Sequence, residues 1–595
     1  AFNEMGDHMA DSFSRRSFFA LTGITAAGLG LAGCAPSNPQ GGSTTTGTEP
    51  QDGSPANTPL DQLPIPEKGK TYNNPKSRDE VKDGGTLTQP INEIGPQWNY
   101  YQLAGNTSYM NILHGLINPR DLFLNNADGD KFEPNKDYIK EFKVEEKDGK
   151  QVATLTFTDQ ATFNDGTAID WTAIQTAFIT MCGQNKKFAV SSTDGYDKYE
   201  SVEQGDTAKT AVITMKEAVY PIESILSYAL HPKLQDPDFF NNGYNNEPHN
   251  ELGSGPYIVD SFDDSAVTFK PNPKWWGDAP KLDTLVYKQM DTQASINAFK
   301  NEETDTTGTS VAGSAELLSN FSGLGDKAQI RRGLGMSIAV IELNSTRGAL
   351  QDVAVRKAFC QVVDPATIVS IVFQGVNWKE DAPGSMLWPY WAAGYDNNLP
   401  DDIKNLKSAD ERKAAAKKTL EDAGYKLNGD YYEKDGQQVT FSYTLFGDGT
   451  TVKNRAAAIQ KMCKDAGINL TLDSHPSSEF SDVLTSGSWD VCLFGWVGSS
   501  TSYNNGGQLY GSESGSNFGQ QGSAETDEMF AKVVSTKDFD ERMKLMNEAE
   551  KKMMQTYAYL PVYTGPDCYV VKKGLANFGP SLFQSTPATI VGWQK

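Results

Sequence analysis

The chain has 595 residues, enough for several core-forming units of about 100–200 residues each. It carries 76 acidic and 53 basic residues, a formal net charge of -23, and no basic stripe that could neutralise phosphates. We therefore predict no nucleic-acid partner.

The first 34 residues have the pattern of an export signal. Arg15 and Arg16 precede an apolar stretch, 18–33, that is too short to span a bilayer comfortably and ends in Leu-Ala-Gly before Cys34. This pattern resembles a bacterial lipoprotein signal, and the S-R-R-x-F-F order resembles a twin-arginine export signal. We expect Cys34 to become lipidated and to hold the protein on the outer face of the bacterial cytoplasmic membrane. The export route, Sec or twin-arginine, stays open.

Residues 35–83 are rich in Ser, Thr, Gly, Pro and Gln. Such a composition cannot bury enough apolar surface to offset the entropy lost on ordering. The sequence therefore predicts a disordered tether over 35–83.

Residues 439–496 give the clearest pattern of secondary structure. Apolar alternation predicts strands over 439–446 and 468–472, and a short apolar run predicts a third strand over 491–494. Helical spacing between them predicts helices from Asn454 to Gly467 and around 479–484. Strands that alternate with helices indicate an α/β fold with a mostly parallel sheet.

A parallel sheet binds its ligands beyond the carboxyl ends of its strands. The turns 447–449 and 495–500 follow two of the predicted strands and are expected at that edge. Trp496 lies between two glycines and could present a stacking surface to a ligand. A tryptophan that only fills the bottom of a lobe is an equally good interpretation.

Seven motifs follow one another between residue 84 and the end of the chain. They are GGTL at 84–87, ATFNDGT at 161–167, GSGPY at 253–257, NPKWW at 272–276, DVAVRKAF at 352–359, DVCLFGW at 490–496 and AYLPVY at 558–563. In this order they resemble the extracellular solute-binding protein family 5, whose members serve oligopeptide, dipeptide and nickel ABC importers.

The resemblance implies a two-lobed, periplasmic-binding-protein-like α/β fold of the large class, with an extra subdomain and a hinge between the lobes. The expected segments are 84–112 for the start of lobe I, 113–252 for its extra subdomain, 253–337 for its second part, 338–559 for lobe II and 560–595 for a C-terminal return to lobe I.

It also implies a function without covalent chemistry. The protein would be the monomeric, lipid-anchored binding component of an ABC importer, capturing oligopeptides and delivering them to a permease and its ATPase subunits. An oligosaccharide is the alternative ligand. The residues expected to bind the ligand are Glu93, Ile94, Trp98, Asp448, Gly495, Trp496, Val497, Gly498, Ser499 and Tyr503.

One position departs from the pattern of the peptide binders. They commonly carry an aspartate three residues after the tryptophan of the G-W pair, where it pairs with the α-ammonium of the peptide, and here that position is Ser499. No acidic residue occurs over 497–509. Either Glu93 or Asp448 substitutes, or the ligand is not held by a free amino terminus.

Other classes of protein have less support. The chain has no G-x-S-x-G or H-E-x-x-H motif and its five histidines are scattered, so we predict neither an enzyme nor a cofactor or metal. A secreted glycosidase with a carboxylate pair and a purely structural surface protein stay open as alternatives. Cys360, Cys463 and Cys492 lie in apolar patterns and are expected to be buried core residues rather than disulfides.

Overall fold

The computed structural model describes residues 21–22 and 50–595, except 120, 194, 477 and 478. The strands are β1 (Leu21–Thr22), β2 (Ser54–Pro55), β3 (Thr86–Ile91), β4 (Phe123–Asn125), β5 (Phe132–Pro134), β6 (Ile139–Lys147), β7 (Lys150–Phe157), β8 (Tyr199–Gln204), β9 (Thr210–Met215), β10 (Tyr257–Phe262), β11 (Ala266–Pro271), β12 (Thr284–Gln289), β13 (Ala328–Leu334), β14 (Ser337–Leu343), β15 (Lys426–Asn428), β16 (Tyr431–Lys434), β17 (Gln437–Gln438), β18 (Thr440–Phe446), β19 (Asn469–His475), β20 (Val491–Val497), β21 (Tyr559–Tyr563), β22 (Pro566–Lys572), β23 (Leu575–Ala576) and β24 (Gly592–Trp593).

The α-helices are α1 (Ser108–Ile117), α2 (Trp171–Met181), α3 (Pro237–Asn242), α4 (Thr292–Lys300), α5 (Ala315–Leu318), α6 (Val353–Val362), α7 (Pro365–Val372), α8 (Asp401–Lys404), α9 (Ala409–Asp422), α10 (Thr450–Asp465), α11 (Phe480–Ser486), α12 (Gly506–Tyr510), α13 (Ala524–Val534) and α14 (Phe539–Met554).

The first lobe is built on the sheet β10-β11-β12-β3, in which β12 and β3 are parallel. Its extra subdomain carries a second, antiparallel sheet, β6-β7-β9-β8. Asn164 of the ATFNDGT motif joins the two: its Nδ2 donates to the carbonyl of Asn250 at 2.8 Å, and its Oδ1 accepts from Asn272 of the NPKWW motif at 2.9 Å. These motifs therefore hold the lobe together.

The second lobe contains the sheet β19-β18-β20-β14-β21. Strand β18 runs parallel to β19 and β20, as predicted, and helix α10 packs against β19 and β18. The prediction of a mostly parallel sheet is wrong, because β14 pairs antiparallel with both β20 and β21. The expected turn at Gly495 and Trp496 is also wrong, since pairing with β14 continues to Val497.

Two chain segments cross between the lobes side by side. Strand β13 pairs antiparallel with β22 in the first lobe, and β14 pairs antiparallel with β21 in the second. The crossings lie at 335–336 and 564–565, between β13 and β14 and between β21 and β22. At the second crossing the Glu380 carboxylate accepts the N–H groups of Thr564 at 2.5 Å and Gly565 at 2.7 Å.

The prediction of a tether is wrong for residues 50–83, which pack against the body. Strand β2 pairs antiparallel with β13, and the segment buries Ala56, Leu63, Tyr72 and Val81. These apolar residues are too far apart in sequence to form a periodic pattern, but they all meet a surface made by distant parts of the chain. The predicted signal over 1–34, apart from Leu21–Thr22, lies outside the described residues, as do Cys34 and residues 35–49.

The described cysteines are buried and form no disulfide within the described residues, as expected for Cys360, Cys463 and Cys492. They are Cys182, Cys360, Cys463, Cys492 and Cys568. Within the described ranges, no helix combines the length and the apolar character needed to cross a membrane. The same residues contain no group of three or more His, Cys, Asp or Glu side chains that could hold a metal ion.

Candidate ligand-binding site

The first lobe contributes the loop that follows β3. The backbone N–H of Ile94 donates to Oε1 of Gln289 at 2.8 Å, which fixes the loop over the end of β12. Glu93 is exposed at its tip. Trp98 is buried, its ring 5.3 Å edge-on from Phe262, and its indole N–H has no partner among the described residues.

The second lobe contributes the bend between β18 and α10. The N–H of Gly447 donates to the carbonyl of His475 at 2.9 Å, so this bend lies at the carboxyl ends of β18 and β19, where a ligand edge was expected. Asp448 is exposed here. Among the described residues, neither Asp448 nor Glu93 forms an ion pair, and both side chains are exposed.

Trp496 packs into the second lobe. Its side chain is 3% exposed, its ring stacks on Phe518 with 6.3 Å between the centroids, and Nε1 donates to Oε1 of Glu342 at 3.3 Å. The ring in this structure therefore matches the interpretation of a tryptophan that fills the lobe. Val497, which is 37% exposed, and Ser499 supply the side-chain surface at this edge.

Strand β20 pairs with β14 along one side and with β18 along only part of the other. Strand β18 pairs with β20 only at Val491 and Cys492. Further along the same strand, Gly495 and Trp496 pair antiparallel with Thr22 and Leu21. At the end of β20, the side that β18 leaves unpaired is therefore paired with a two-residue extended segment in this structure.

The turn after β20 is tightly held. The N–H of Gly498 donates to the carbonyl of Met336 at 2.6 Å, and a β-carbon at this glycine would lie 3.0 Å from the same oxygen. The N–H of Ser499 donates to Oγ of Ser502 at 2.6 Å. The backbone is therefore fixed beside the first crossing between the lobes.

Tyr503 lies below the surface rather than in the site. It is 1% exposed, its ring is 5.2 Å from that of Trp388, and the guanidinium of Arg542 lies 5.0 Å from its ring centroid. Its neighbour Asn504 reaches the other lobe, donating from Nδ2 to the carbonyl of Tyr220 at 3.3 Å.

A second contact lies beside this one. The N–H of Tyr220 donates to the carbonyl of Val534 at 2.9 Å. Burial raises the pKa of the nearby Glu223, and the positive charge of Arg542 offsets part of this rise. The extra subdomain of the first lobe thus touches the second lobe. Sequence patterns did not indicate these two hydrogen bonds, because the acceptor in each is a main-chain carbonyl, which every residue type has.

Comparisons with known proteins agree with this architecture. The chain matches the family model for bacterial extracellular solute-binding proteins, family 5 (middle), over residues 133–518. The oligopeptide-binding protein OppA of Mycobacterium tuberculosis (strain ATCC 25618 / H37Rv) is 26% identical over 523 residues, which cover 87% of this chain and 86% of the relative.

Two solved structures have the same fold. The periplasmic EDTA-binding protein EppA matches with a TM-score of 0.77 and 22% identity, over 89% of this chain and 100% of its own. The oligopeptide-binding protein AppA from Bacillus subtilis, in complex with a nonapeptide, matches with a TM-score of 0.66 and 17% identity, over 87% and 100%. The mixed α/β fold is that of a periplasmic-type solute-binding protein. The chain belongs to family 5 of the bacterial extracellular solute-binding proteins, which confirms the resemblance drawn from its motifs.

Proposed function

We propose that this protein is the lipid-anchored binding component of an ABC importer, which captures oligopeptides outside the cell and delivers them to a permease by closing its lobes. Membership of an extracellular solute-binding family supports the transport role. The name of the mycobacterial relative and the nonapeptide of the Bacillus structure support a peptide as the ligand. Lipidation at Cys34 and action as a monomer are parts of the proposal.

The observation that carries the choice of a peptide is the edge at the end of β20. An extended peptide can add to such an edge through main-chain hydrogen bonds, while side chains alternate into pockets on either side. The antiparallel pairing of Leu21–Thr22 with Gly495 and Trp496 has this geometry. An oligosaccharide has no repeating N–H and C=O groups and cannot extend a sheet.

The charge at the site also bears on the ligand. Ser499 lies at the position where the peptide binders commonly carry an aspartate, and residues 497–509 contain neither aspartate nor glutamate. The amino terminus of a peptide would therefore be held by a distant carboxylate, Glu93 or Asp448, or would not be held by charge. Recognition through the main chain of the ligand fits both cases.

The substitution Ser499→Asp tests the ligand class. With free-amine peptides the new carboxylate supplies a charge-assisted partner, so we expect affinity to be kept or to rise by about tenfold. With the same peptides N-acetylated, or with neutral oligosaccharides, an unpaired carboxylate should weaken binding. Titration calorimetry of the three ligand pools measures this difference.

Ser322→Asp is the matched control, since Ser322 is exposed and lies outside the site. It should leave every affinity unchanged. Oligosaccharide binding by the unmodified protein, without peptide binding, would overturn the proposal. Mass spectrometry of small molecules released by denaturing the purified protein identifies the natural ligand without a prior choice.

A further inference from the structure

A carboxyl group with no charged partner lies directly behind the candidate site. Glu342 is on β14, where it pairs with Cys492 of β20 on one side and with Tyr559 of β21 on the other. Its side chain is 0% exposed. The central strand of the second lobe thus carries an acid in its interior.

The contacts of this carboxyl are incomplete. Oε1 accepts the indole N–H of Trp496 at 3.3 Å, whereas Oε2 has no hydrogen-bond partner among the described residues. The hydrogen bond from Trp496 lowers the pKa of Glu342, as do the backbone N–H groups of Gly519 and Phe518, but the effect of burial is larger than all three. Neither backbone group makes a well-formed hydrogen bond to Oε2. A buried carboxylate with so few partners is costly, and the neutral acid is the cheaper form.

Arg455 and Arg356 act on the pKa values of Cys492 and Tyr559, the strand neighbours of Glu342, but neither acts on Glu342 itself. The titratable groups that face Glu342 are Cys492 on β20, Tyr559 on β21 and Tyr510 on α12, and burial raises the pKa of each, so all three stay neutral. Glu550 on α14 lies behind Tyr510, whose hydroxyl donates to it at 2.9 Å. No cationic side chain among the described residues acts on the pKa of Glu342, and burial raises that pKa to about 8.

The indole that Glu342 holds belongs to the strand whose edge forms the candidate site. Trp496 stacks on Phe518 and lies edge-on to Phe494 with 5.7 Å between the centroids, so its ring has contacts on several sides. A carboxyl that ionises here must draw in water or move, and the packed ring must then shift. The main chain of this same residue forms part of the strand edge at the candidate site.

We propose that Glu342 is a positioning residue which, as a neutral acid, holds the indole of Trp496 and thereby keeps the edge of β20 in its ligand-binding arrangement. This inference deepens the proposed function and rests on it. Binding should therefore weaken when Glu342 loses its proton. The residue does not touch the ligand.

The contact itself is tested without a ligand. In protein labelled with 15N at the indoles of its 10 tryptophans, the resonance lost in Trp496→Phe belongs to Trp496. Between pH 6 and 9.5 we expect this resonance to titrate with a midpoint near 8. It should not titrate in Glu342→Gln, which mimics the neutral acid, and it should still titrate in the control Glu550→Gln. If a variant does not fold, the titration of the wild-type protein still shows whether the Trp496 resonance changes with a midpoint near 8.

The effect on binding is measured with N-acetylated peptides, because a free α-amino group titrates in the same range. If only the neutral acid permits binding, a midpoint of 8 gives a loss of up to about 30-fold in affinity between pH 7 and 9.5. Glu342→Gln should abolish this loss.

A resonance that does not titrate, or titrates equally in Glu342→Gln, overturns the inference. So does an affinity that stays constant while the resonance titrates. Failure to bind peptides at any pH would overturn the proposed function instead, and the indole titration would still decide whether Glu342 controls Trp496.

Discussion

At Gly335 the two crossings between the lobes lie in close contact. A β-carbon here would lie 2.2 Å from the carbonyl oxygen of Gly565, a distance that no side chain can adopt without movement of the backbone. The carbonyl of Gly335 also accepts the indole N–H of Trp391 at 2.8 Å. Only glycine at this position allows the two crossing segments to touch.

We therefore expect Gly335→Ala to lower the free energy of unfolding by about 2–3 kcal/mol, because it forces the paired segments apart. Gly323→Ala is the control: a β-carbon at Gly323 meets nothing within 4 Å, and the change should be less than about 1 kcal/mol. Urea denaturation of the two variants measures the difference. Equal stabilities would show that the crossings do not constrain each other.

At the same scale, the positions of the candidate site residues could be predicted better than the directions of their side chains. The loop after β3 and the ends of β18 and β20 were expected from periodicity and from the motifs. The inward direction of these side chains could not be predicted from local patterns. Trp496 turns inward to contact Phe518 and Glu342, and Tyr503 turns inward to contact Trp388. None of these partners is a sequence neighbour. Glu342 itself gave no signal within its apolar strand.

At the scale of elements, β13 is the strand that organises the N-terminal segment. Arg331 on this strand is 0% exposed, and its guanidinium donates to the carbonyls of Asp52 at 3.0 Å, Phe578 at 2.6 Å and Leu575 at 2.7 Å. Burial lowers the pKa of Arg331 to about 9, so it keeps its charge at neutral pH. One side chain thus joins β13 to the N-terminal segment at Asp52 and to the C-terminal segment at 575–578.

Arg331→Met keeps most of the buried stem but leaves these carbonyls without their donor. We expect a loss of about 3 kcal/mol in the free energy of unfolding, because buried acceptors without partners are costly. Arg347→Ala removes a partly exposed ion pair with Asp490 and should cost less than about 1 kcal/mol. Calorimetry of both variants tests this, and a small effect of Arg331→Met would mean that residues 50–83 are held by their apolar contacts alone.

Elements with local signals were predicted and those fixed by distant contacts were not. Strand β18, helix α10 and strand β19 follow from alternation and helical spacing. Residues 50–83 looked disordered because their composition is polar. Their order comes from β13 and the C-terminal segment, which no local window includes.

At the scale of the whole molecule, the crossings and the Tyr220 contact are two of the places where the described residues of the lobes meet. The covalent crossings at 335–336 and 564–565 are reinforced by Glu380, whose carboxylate binds the N–H groups of Thr564 and Gly565. Tyr220 of the extra subdomain meets Asn504 and Val534 of the second lobe through a small number of hydrogen bonds. The crossings are covalent, whereas the Tyr220 contact consists of a few hydrogen bonds that can break. A molecule with these two contacts can pivot at the crossings and open at the Tyr220 contact.

The Tyr220 contact should therefore contribute to the affinity for ligand. Asn504→Ala removes a hydrogen bond that forms only when the lobes meet, so we expect peptide binding to weaken by about three- to tenfold. Asn505→Ala, in the same turn but without a hydrogen bond to the first lobe among the described residues, should have no effect.

Calorimetry measures the affinities, and small-angle scattering should give a smaller radius of gyration for the peptide-saturated protein than for the ligand-free protein. An identical radius at proven saturation would show that the lobes do not close on ligand, and an unchanged affinity of Asn504→Ala would show that this contact does not stabilise the closed form.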